Sequence, residues 1–291
     1  MKKRRAVLSW DSNIAHANEL MFALREGLNK AGYKSFLATY GDKTDVYKAY
    51  DLAVFFGFRD PVPAMVEALR AERIPSLILE AGYVKRAEYF QVGVGRLNWL
   101  PEEAPSSDRF DALGLERTTK RQDGTFVMVC GQMVGDAQHR LDFRSMVAWI
   151  RNTFRDLAAH TDRELVYRPH PAAVAITGGP LVHPPGASRI SDPLSPLDRE
   201  LQGAHALVTY NSTAGLLALL AGVPVFCNKS AFYADLVNTK LSKIEKPVWK
   251  NTKRFFERLA YAQWTLEELR GGAPLEFLTP YLEREKEYAD D

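Results

Sequence analysis

The chain has 291 residues, and its 38 lysines and arginines against 36 acidic residues give a formal net charge of +2 at pH 7. A charge so close to zero argues against the broad basic surface of a general nucleic-acid binder. The 46% hydrophobic and 25% charged residues are typical of a globular protein, and the length suits two domains. The two cysteines, Cys130 and Cys227, lie in apolar runs, which indicates buried, reduced thiols.

Basic residues are concentrated in two places, at Lys2–Arg5 and between Lys243 and Arg258. Each cluster is either a solvated face or a surface for an acidic acceptor or an anionic membrane. The longest apolar run, Ala214–Cys227, is too short to span a bilayer. The apolar run Ala6–Trp10 meets polar residues too soon for a signal peptide. We therefore expect a cytoplasmic protein, at most peripheral to a membrane, of undetermined oligomeric state.

In the first part of the chain, apolar runs alternate with helical patterns. Strands are predicted over Ala6–Trp10, Ser35–Thr39, Asp51–Phe56 and Pro75–Leu79, and helices over about Ile14–Leu28 and Pro61–Arg73. The segment Pro101–Gly124 is rich in proline, serine, aspartate and charge, which predicts a linker between domains.

A second alternating set follows the linker. Its predicted strands are Phe126–Cys130, Glu164–Arg168, Ala206–Thr209 and Val223–Cys227, and its predicted helices are Leu141–His160, Pro196–Leu201, Ser212–Ala221, Lys250–Arg270 and Pro280–Tyr288. The predicted fold class is α/β, with two doubly wound, Rossmann-like domains that face a cleft. We expect an amino-terminal domain over residues 1–110, a second domain over 125–265 and a helical tail over 266–291. Ligands of such sheets bind beyond the carboxyl ends of the strands.

Polar residues follow two strands of the first domain. Asp11, Ser12 and His16 come after the first strand and lead into a helix. Glu80 follows the strand that ends at Leu79, within Glu80-Ala-Gly-Tyr83. A carboxylate at a strand end, beside a glycine that lets another group approach, is a candidate general base. The alternative is that Glu80 caps the next turn.

In the second domain, Gly131, Gln132 and Asp136 follow the strand that ends at Cys130. Glycines in a short turn allow backbone N–H groups to face a ligand. The spacing matches neither the dinucleotide motif G-x-G-x-x-G nor a Walker loop. These residues alone therefore indicate a ligand-binding turn without naming the ligand.

The segment Arg168-Pro-His170-Pro follows the next strand. Prolines on both sides of His170 fix the backbone and so the direction of the imidazole, which suits contact with a phosphate or with a reacting centre. Arg168 could add a bidentate phosphate contact. The alternative is a buried histidine bonded to a backbone carbonyl in a proline-rich turn.

Asn211, Ser212 and Thr213 stand at the start of the helix predicted after the strand Ala206–Thr209, and Asn211 or Ser212 would cap it. The unpaired N–H groups and the dipole of a helix start favour an anion. A nucleophilic Ser212 lacks the G-x-S-x-G elbow, and glycosylation of Asn211 requires a secretory route. A simple capped core helix is compatible with phosphate binding. The six histidines and two cysteines form no metal motif, so we predict no metal site.

Five segments together resemble one family. They are Leu79–Tyr83 ("L-E-A-G-Y"), Val127–Gln138 (with "G-Q-x-x-x-D-A"), Tyr167–Pro171 (with "R-P-H-P"), Leu207–Val225 (with "N-S-x-x-G") and Ala231–Ala234 (with "F-Y"). In this order they resemble the capsular polysaccharide biosynthesis glycosyltransferases, the Kdo-transferase-like enzymes of bacterial capsule export, which have the GT-B fold.

The resemblance implies a nucleotide-sugar donor bound mainly by the second domain, with no other cofactor. It implies that His170, Arg168, Ser212 and Thr213 contact the donor phosphate. Gly131, Gln132, Asp136 and Asn211 would line the donor site, and Asp11, Ser12, His16 and Tyr83 would lie on the acceptor side. With Glu80 as the base and His170 as the second catalytic residue, at the donor phosphate, the displacement would be inverting and metal-independent, onto a glycan or glycolipid acceptor.

The chain departs from this family in two respects. It is short, and Asp235–Thr239 replaces the bulkier segment that follows "F-Y" in the capsule enzymes. Compact phage GT-B enzymes that glucosylate modified (hydroxymethylated) bases of DNA are similar in architecture, and the two basic clusters would suit DNA. A nucleotide-sugar epimerase or hydrolase, or a non-catalytic nucleotide-binding module, would also be compatible with this fold.

Overall fold

A computed structural model describes residues 3–116, 119–121, 124–136, 138–180 and 182–287. Some of the predicted features fall partly on other residues. These are Lys2 of the first basic cluster, residues 117–118 and 122–123 of the predicted linker, Ala137 of the Gly131 loop and residues 288–291 of the predicted tail, which lie outside the described residues.

The described residues contain eleven strands and eleven α-helices. The strands are β1 (Arg5–Ser9), β2 (Lys34–Leu37), β3 (Leu52–Phe56), β4 (Ser76–Ala81), β5 (Tyr89–Val94), β6 (Phe126–Cys130), β7 (Glu164–Arg168), β8 (Arg189–Ile190), β9 (Ala204–Thr209), β10 (Val225–Cys227) and β11 (Gln263–Thr265). The helices are α1 (Ala15–Lys30), α2 (Thr44–Tyr47), α3 (Val62–Ala71), α4 (Asp108–Ala112), α5 (Phe143–Ala158), α6 (Pro171–Thr177), α7 (Leu197–Glu200), α8 (Ala214–Leu220), α9 (Lys253–Ala260), α10 (Leu266–Gly271) and α11 (Ala273–Glu287). None of the described helices is long and apolar enough to cross a membrane.

The chain divides into two compact units. The first contains residues 1–110 and 256–291, and the second contains residues 111–255. The sheet of the first unit has the order β11-β5-β4-β3-β1-β2. Strands β1 to β4 are parallel to one another, whereas β5 runs antiparallel to both β4 and β11. All five residues of β3 are buried and apolar, as expected of a central strand covered on both faces.

The sheet of the second unit has five parallel strands in the order β10-β9-β6-β7-β8. Helix α5 covers this sheet with apolar side chains spaced three or four residues apart, namely Met146, Ile150, Phe154 and Leu157, all fully buried. The helix starts where the Asp142 carboxylate accepts a hydrogen bond from Ser145 N.

The predicted α/β class with two Rossmann-like domains is confirmed, and each of the eight predicted strands is present. The described part adds β5, β8 and β11. Cys130 and Cys227 are free and buried, and burial raises the pKa of each thiol to about 12. They are therefore inert neutral thiols, as the sequence indicates.

The carboxyl-terminal segment differs from its prediction. Residues 256–265, expected in the second domain, belong to the first unit, and β11 is the edge strand of its sheet. Helix α10 lies so close to α1 that a Cβ on Gly27 would stand 2.0 Å from Leu269 O. β11 pairs with β5 and α10 packs on α1, so the described residues 266–287 are an integral part of the first unit.

Arg109, in the first half of the predicted linker, joins this segment to the rest of the first unit. Its guanidinium pairs with the Glu268 carboxylate at 2.6 and 3.2 Å and donates to the carbonyls of Ala260 and Gln263. It also lies 3.9 Å from the centre of the Trp264 ring. The predicted linker thus begins with a folded, hydrogen-bonded segment.

Candidate active site

A pocket of about 370 Å³ lies where strands β1 to β4 of the first unit end. Its walls are formed by Asp11, Ile14, His16, Tyr40, Phe56, Gly57, Arg59 and Glu80. From β1 the chain runs to β2 on one side, and β3 lies on the other side. Such a reversal of strand order opens a crevice at the carboxyl ends of the strands, which is where open α/β sheets bind ligands.

Glu80 lies on β4 and is only partly buried. Its Oε1 accepts a hydrogen bond from Ala81 N at 2.9 Å. Gly57, with a φ of +78°, also lines the pocket, and a Cβ added there would be 3.9 Å from Glu80 Oε2. One carboxylate oxygen is thus bound by the main chain, as the capping interpretation requires.

Two more predicted residues line the same pocket. Asp11 Oδ1 accepts from the backbone N and the side-chain Nδ2 of Asn13, at 3.0 and 2.9 Å. The exposed ring of His16 meets the Phe56 ring edge to face, with centroids 5.4 Å apart. Ser12 lines an adjacent depression that shares Asp11 and Tyr40 with the pocket. The structure therefore brings together two carboxylates and an imidazole.

Tyr40 and Arg59 complete the pocket, although no motif singles them out. The Tyr40 hydroxyl donates to Asp60 O at 3.3 Å. Burial, together with the Asp11 charge, raises the pKa of Tyr40, so its hydroxyl stays protonated and can donate. Each residue stands three positions after a strand, and only this position, not the residue type, connects it with the pocket.

Tyr83 does not line this pocket, contrary to its predicted place on the acceptor side. Its side chain is 1% exposed, and its hydroxyl donates to Trp99 O at 3.0 Å. Burial raises the pKa of this phenol. Tyr83 is therefore a core residue that anchors the loop after β4.

In the second unit the strand order changes direction between β6 and β9. Gln132 and Asn211, which follow these strands, form a buried amide pair at this point. Gln132 Nε2 donates to Asn211 Oδ1 at 2.9 Å, and Asn211 N donates back to Gln132 Oε1 at 2.8 Å. Asn211 Nδ2 also donates to Gln138 O. Both side chains, predicted to line the donor site, are at most 4% exposed, so they hold the two loops together.

Gly131 and Asp136 shape the loop after β6. A Cβ on Gly131 would stand 2.8 Å from the Tyr167 hydroxyl, so glycine lets the loop cross this side chain. The Asp136 carboxylate accepts from Gln138 N at 2.8 Å and is partly exposed. The loop has the open turn that the sequence predicts, and its contact with a donor remains a prediction.

Arg168 has a different role from the predicted phosphate contact. Its side chain is buried, and Nη1 donates to Ser191 Oγ and Asp192 O at 3.2 and 2.9 Å. Nη2 donates to Pro193 O and Ser195 O at 3.1 and 2.6 Å. All four Nη hydrogens are engaged, so this fork has none left for a bidentate phosphate contact. Arg168 instead fixes the loop 191–195.

His170 lies at the start of α6, at the carboxyl end of β7. Its Nδ1 accepts a hydrogen bond from Ala172 N at 3.2 Å, so His170 is the N-cap of this helix. An accepting Nδ1 places the proton of the neutral ring on Nε2. The imidazole is partly exposed, as a ligand contact requires.

Ser212 and Thr213 precede α8, which has no side-chain cap at its N-cap residue Thr213. The Ser212 hydroxyl accepts from Ala214 N at 3.2 Å, so the turn is closed locally. The Tyr233 hydroxyl donates to Ser212 O, and its ring lies against Gly215, where a Cβ would be 2.4 Å from Tyr233 Oη. The tyrosine of the "F-Y" motif thus packs against the first turn of α8 and binds Ser212, which precedes this helix. Across the described residues, no three His, Cys, Asp or Glu side chains are grouped so as to hold a metal ion.

No model of a protein family matches the chain, and no curated protein shows significant sequence similarity to it. Two solved structures are nevertheless similar to it in fold. The β-Kdo 2,4 transferase of KpsC from Thermosulfurimonas dismutans has a TM-score of 0.59 at 16% identity, over 91% of this chain and 93% of that chain. The β-Kdo 2,7 transferase of KpsC from the same organism has a TM-score of 0.51 at 16% identity, over 95% and 99%. A UDP-GlcNAc 2-epimerase from Methanocaldococcus jannaschii scores only 0.34 and supports no conclusion. The chain therefore has a GT-B glycosyltransferase-like fold, which it shares with these two Kdo transferases.

Proposed function

We propose that the protein is a glycosyltransferase that moves a sugar from a nucleotide-sugar donor to an acceptor hydroxyl, with inversion and without a metal ion. The observation that carries this proposal is the pocket of the first unit, where Glu80, Asp11 and His16 meet at the strand reversal of a GT-B-like sheet. The structural neighbours act as Kdo transferases, which supports sugar transfer as the class of reaction.

Glu80 is the proposed general base. It removes the proton of the acceptor hydroxyl while that oxygen forms a bond to the anomeric carbon of the donor sugar. The bond between this carbon and the phosphate oxygen breaks, and the nucleotide leaves with the electron pair. Asp11, Ser12 and His16 orient the acceptor, a glycan or glycolipid. Ala81 N holds Oε1 and so keeps the carboxylate in one direction.

The second unit is the proposed donor site. His170 Nε2 donates a hydrogen bond to the donor phosphate, because Nδ1 accepts from the main chain. Ser212 and Thr213, at the start of α8, are further proposed contacts with the phosphate, and Gly131 and Asp136 line the site. Fixed hydrogen-bond donors aimed at the charge of the leaving phosphate lower the barrier of such a displacement. The Gln132–Asn211 amide pair holds together the two loops that carry Gly131, Asp136 and Ser212.

A thermal-shift screen of nucleotide sugars tests this function. The true donor is expected to raise the melting temperature, since a ligand at 100 times its dissociation constant adds about 2.7 kcal/mol of stability. His170→Ala should weaken this shift. Glu80→Gln should keep it and reduce transfer by about 10²- to 10⁴-fold, the usual contribution of a general base.

Glu88→Gln is the matched control, because Glu88 is exposed and lies outside the pocket. Transfer should also persist in excess EDTA. Full transfer by Glu80→Gln would show that another group is the base. Turnover of the donor without any acceptor would instead identify a hydrolase or an epimerase, and steeply salt-dependent binding of duplex DNA would indicate a DNA acceptor.

A further inference from the structure

Three polar residues form a row across the first sheet at the level of Glu80. Glu80 on β4 is directly opposite Gln91 on β5, and Gln91 is directly opposite Gln263 on β11. Residues directly opposed in antiparallel strands place their side chains on the same face of the sheet. Gln91 is 4% exposed and Gln263 is fully buried. Two buried amides therefore stand in line beside the proposed base.

Both amides bind the main chain that follows Glu80. Gln91 Nε2 donates to Ala81 O at 2.9 Å. Gln263 Oε1 accepts from Tyr83 N at 3.0 Å and from Val84 N at 3.2 Å. Gly82, between them, lies so close to β5 that a Cβ would be 2.4 Å from Tyr89 O. The two amides thus fix the turn after Glu80 at Ala81, Tyr83 and Val84.

The amide nitrogen of Gln263 shows that the oxygen is the atom that determines its role. Gln263 Nε2 is buried and has no hydrogen-bond partner among the described residues. A buried amide nitrogen without a partner is unfavourable, and such groups are rare in folded proteins. The amide cannot be turned round, because two backbone N–H groups require an acceptor at this place. The oxygen of Gln263 is therefore the functional atom.

We propose that Gln263, which the carboxyl-terminal segment supplies, is a positioning residue for the Glu80 carboxylate. Glu80 Oε1 is bonded to Ala81 N, so the path of the main chain after Glu80 sets the direction of the carboxylate. Gln263 fixes that path at Tyr83 and Val84, three and four residues after Glu80. This role rests on the proposed function of Glu80 as the general base.

Gln263→Met tests the proposal, since methionine has a similar volume and no acceptor oxygen. Amide exchange of Tyr83 and Val84 in the full chain should become about tenfold faster. The kcat of transfer should fall by up to about 100-fold, as expected when a reacting group is displaced by about 1 Å. The KM values of donor and acceptor and the donor-induced thermal shift should not change. Gln263→Glu keeps an acceptor oxygen at this position and should restore most of the kcat and the slow exchange.

Trp264→Phe is the matched control. It changes the next residue of β11, whose indole Nε1 is also buried without a partner among the described residues, and it should alter neither kcat nor exchange. Unchanged exchange in Gln263→Met, or a normal kcat despite faster exchange, overturns the proposal. If Gln263→Met does not fold, a Gln263→Glu variant with fast exchange at Tyr83 and Val84 overturns it as well. An inactive Glu80→Gln beside a fully active Gln263→Met refutes this inference alone, whereas a fully active Glu80→Gln refutes the proposed base itself.

Discussion

Arg168 and His170 are two residues apart, yet their side chains have different roles. Arg168 is the last residue of β7 and points into the unit, where it satisfies carbonyl groups of the loop 191–195. His170 lies beyond the strand and caps the next helix. A basic residue at the end of a strand therefore does not by itself indicate a phosphate site, because loop carbonyls compete for the same fork of donors.

Arg168→Lys separates these two roles. A lysine has one nitrogen and cannot span four acceptors, so we expect the free energy of unfolding of the unliganded protein to fall by about 2–4 kcal/mol. Urea denaturation without nucleotide measures this change. Arg189→Lys is the control, because its ion pair with Glu164 is largely exposed and should contribute less than about 1 kcal/mol. Unchanged stability together with lost donor binding would show that Arg168 contacts the donor phosphate, as the sequence predicts.

Strand ends predict part of the pocket and miss the rest. Asp11, His16 and Glu80 follow from polar residues at the ends of clear apolar strands. Tyr40 and Arg59 do not, because a tyrosine and an arginine in a loop are equally typical of an exposed surface. The sequence also does not predict that Tyr83 is buried, since a tyrosine after a glycine can point to solvent or to the core.

Among the elements, the sequence patterns fail to predict strands β5, β8 and β11, each for a separate reason. In β5, Gln91 and Gly93 interrupt the apolar run, yet Gln91 is buried because it binds the neighbouring main chain. Strand β8 has two exposed residues, too few for any period. Strand β11 lies within a region whose spacing of apolar residues favours a helix. Local patterns predict strands buried by apolar side chains, and they miss strands held by tertiary hydrogen bonds.

Helix α10 is held at its start by two overlapping sets of hydrogen bonds. Thr265 Oγ1 accepts from Glu268 N, and the Glu268 carboxylate accepts from Thr265 N, which is a capping box. The same carboxylate pairs with Arg109. The partly buried Glu268 carboxylate is therefore one of the contacts that attach the carboxyl-terminal segment to the amino-terminal part of its unit.

This acid should make stability depend on pH. Burial by itself would raise the pKa of Glu268, but the hydrogen bonds from Arg109 and Thr265 outweigh it and hold the pKa below the ordinary value of 4.5. The folded state then binds fewer protons than the unfolded state. The stabilisation is complete above the unfolded pKa and is lost as the pH falls through the folded pKa.

Glu268→Gln should remove this contribution. We expect it to lower the free energy of unfolding at pH 7 by about 1–2 kcal/mol and to flatten the loss of stability below pH 4.5. Denaturant unfolding between pH 3 and pH 7 measures both effects. Glu267→Gln removes the exposed neighbouring acid of the same helix and should leave the pH dependence as it is. Parallel curves for the two variants would show that the Arg109 pair contributes nothing.

For the whole molecule, the sequence predicts the architecture better than the division of the chain. The alternation of strands and helices is local and correctly indicates two Rossmann-like units. Which sheet a strand joins depends on contacts between distant residues. The local sequence pattern therefore assigns residues 256–265 to the second unit, although they belong to the first. No local pattern shows that Gln263 pairs with Gln91 across more than 170 residues.

The two units should differ in their ability to fold alone. Residues 111–255 contain every strand of the second sheet and should show a cooperative thermal transition and dispersed amide resonances. Residues 1–110 lack β11, α10 and α11, so β5 becomes an open edge and the face of α1 that packs on α10 is uncovered. We expect this fragment to aggregate or to lack a cooperative transition. Cooperative unfolding of residues 1–110 by themselves would contradict this.

The late position of β11 also has a consequence for synthesis on the ribosome. The second unit is translated completely before the residues that finish the first sheet exist. The first sheet therefore stays incomplete, with an unpaired edge at β5, while the 145 residues of the second unit are synthesised and fold. Proteins usually fold their amino-terminal domain first during translation. Here the second unit can fold first. The turn after Glu80 gains its hydrogen bonds to Gln263 only after β11 has been synthesised.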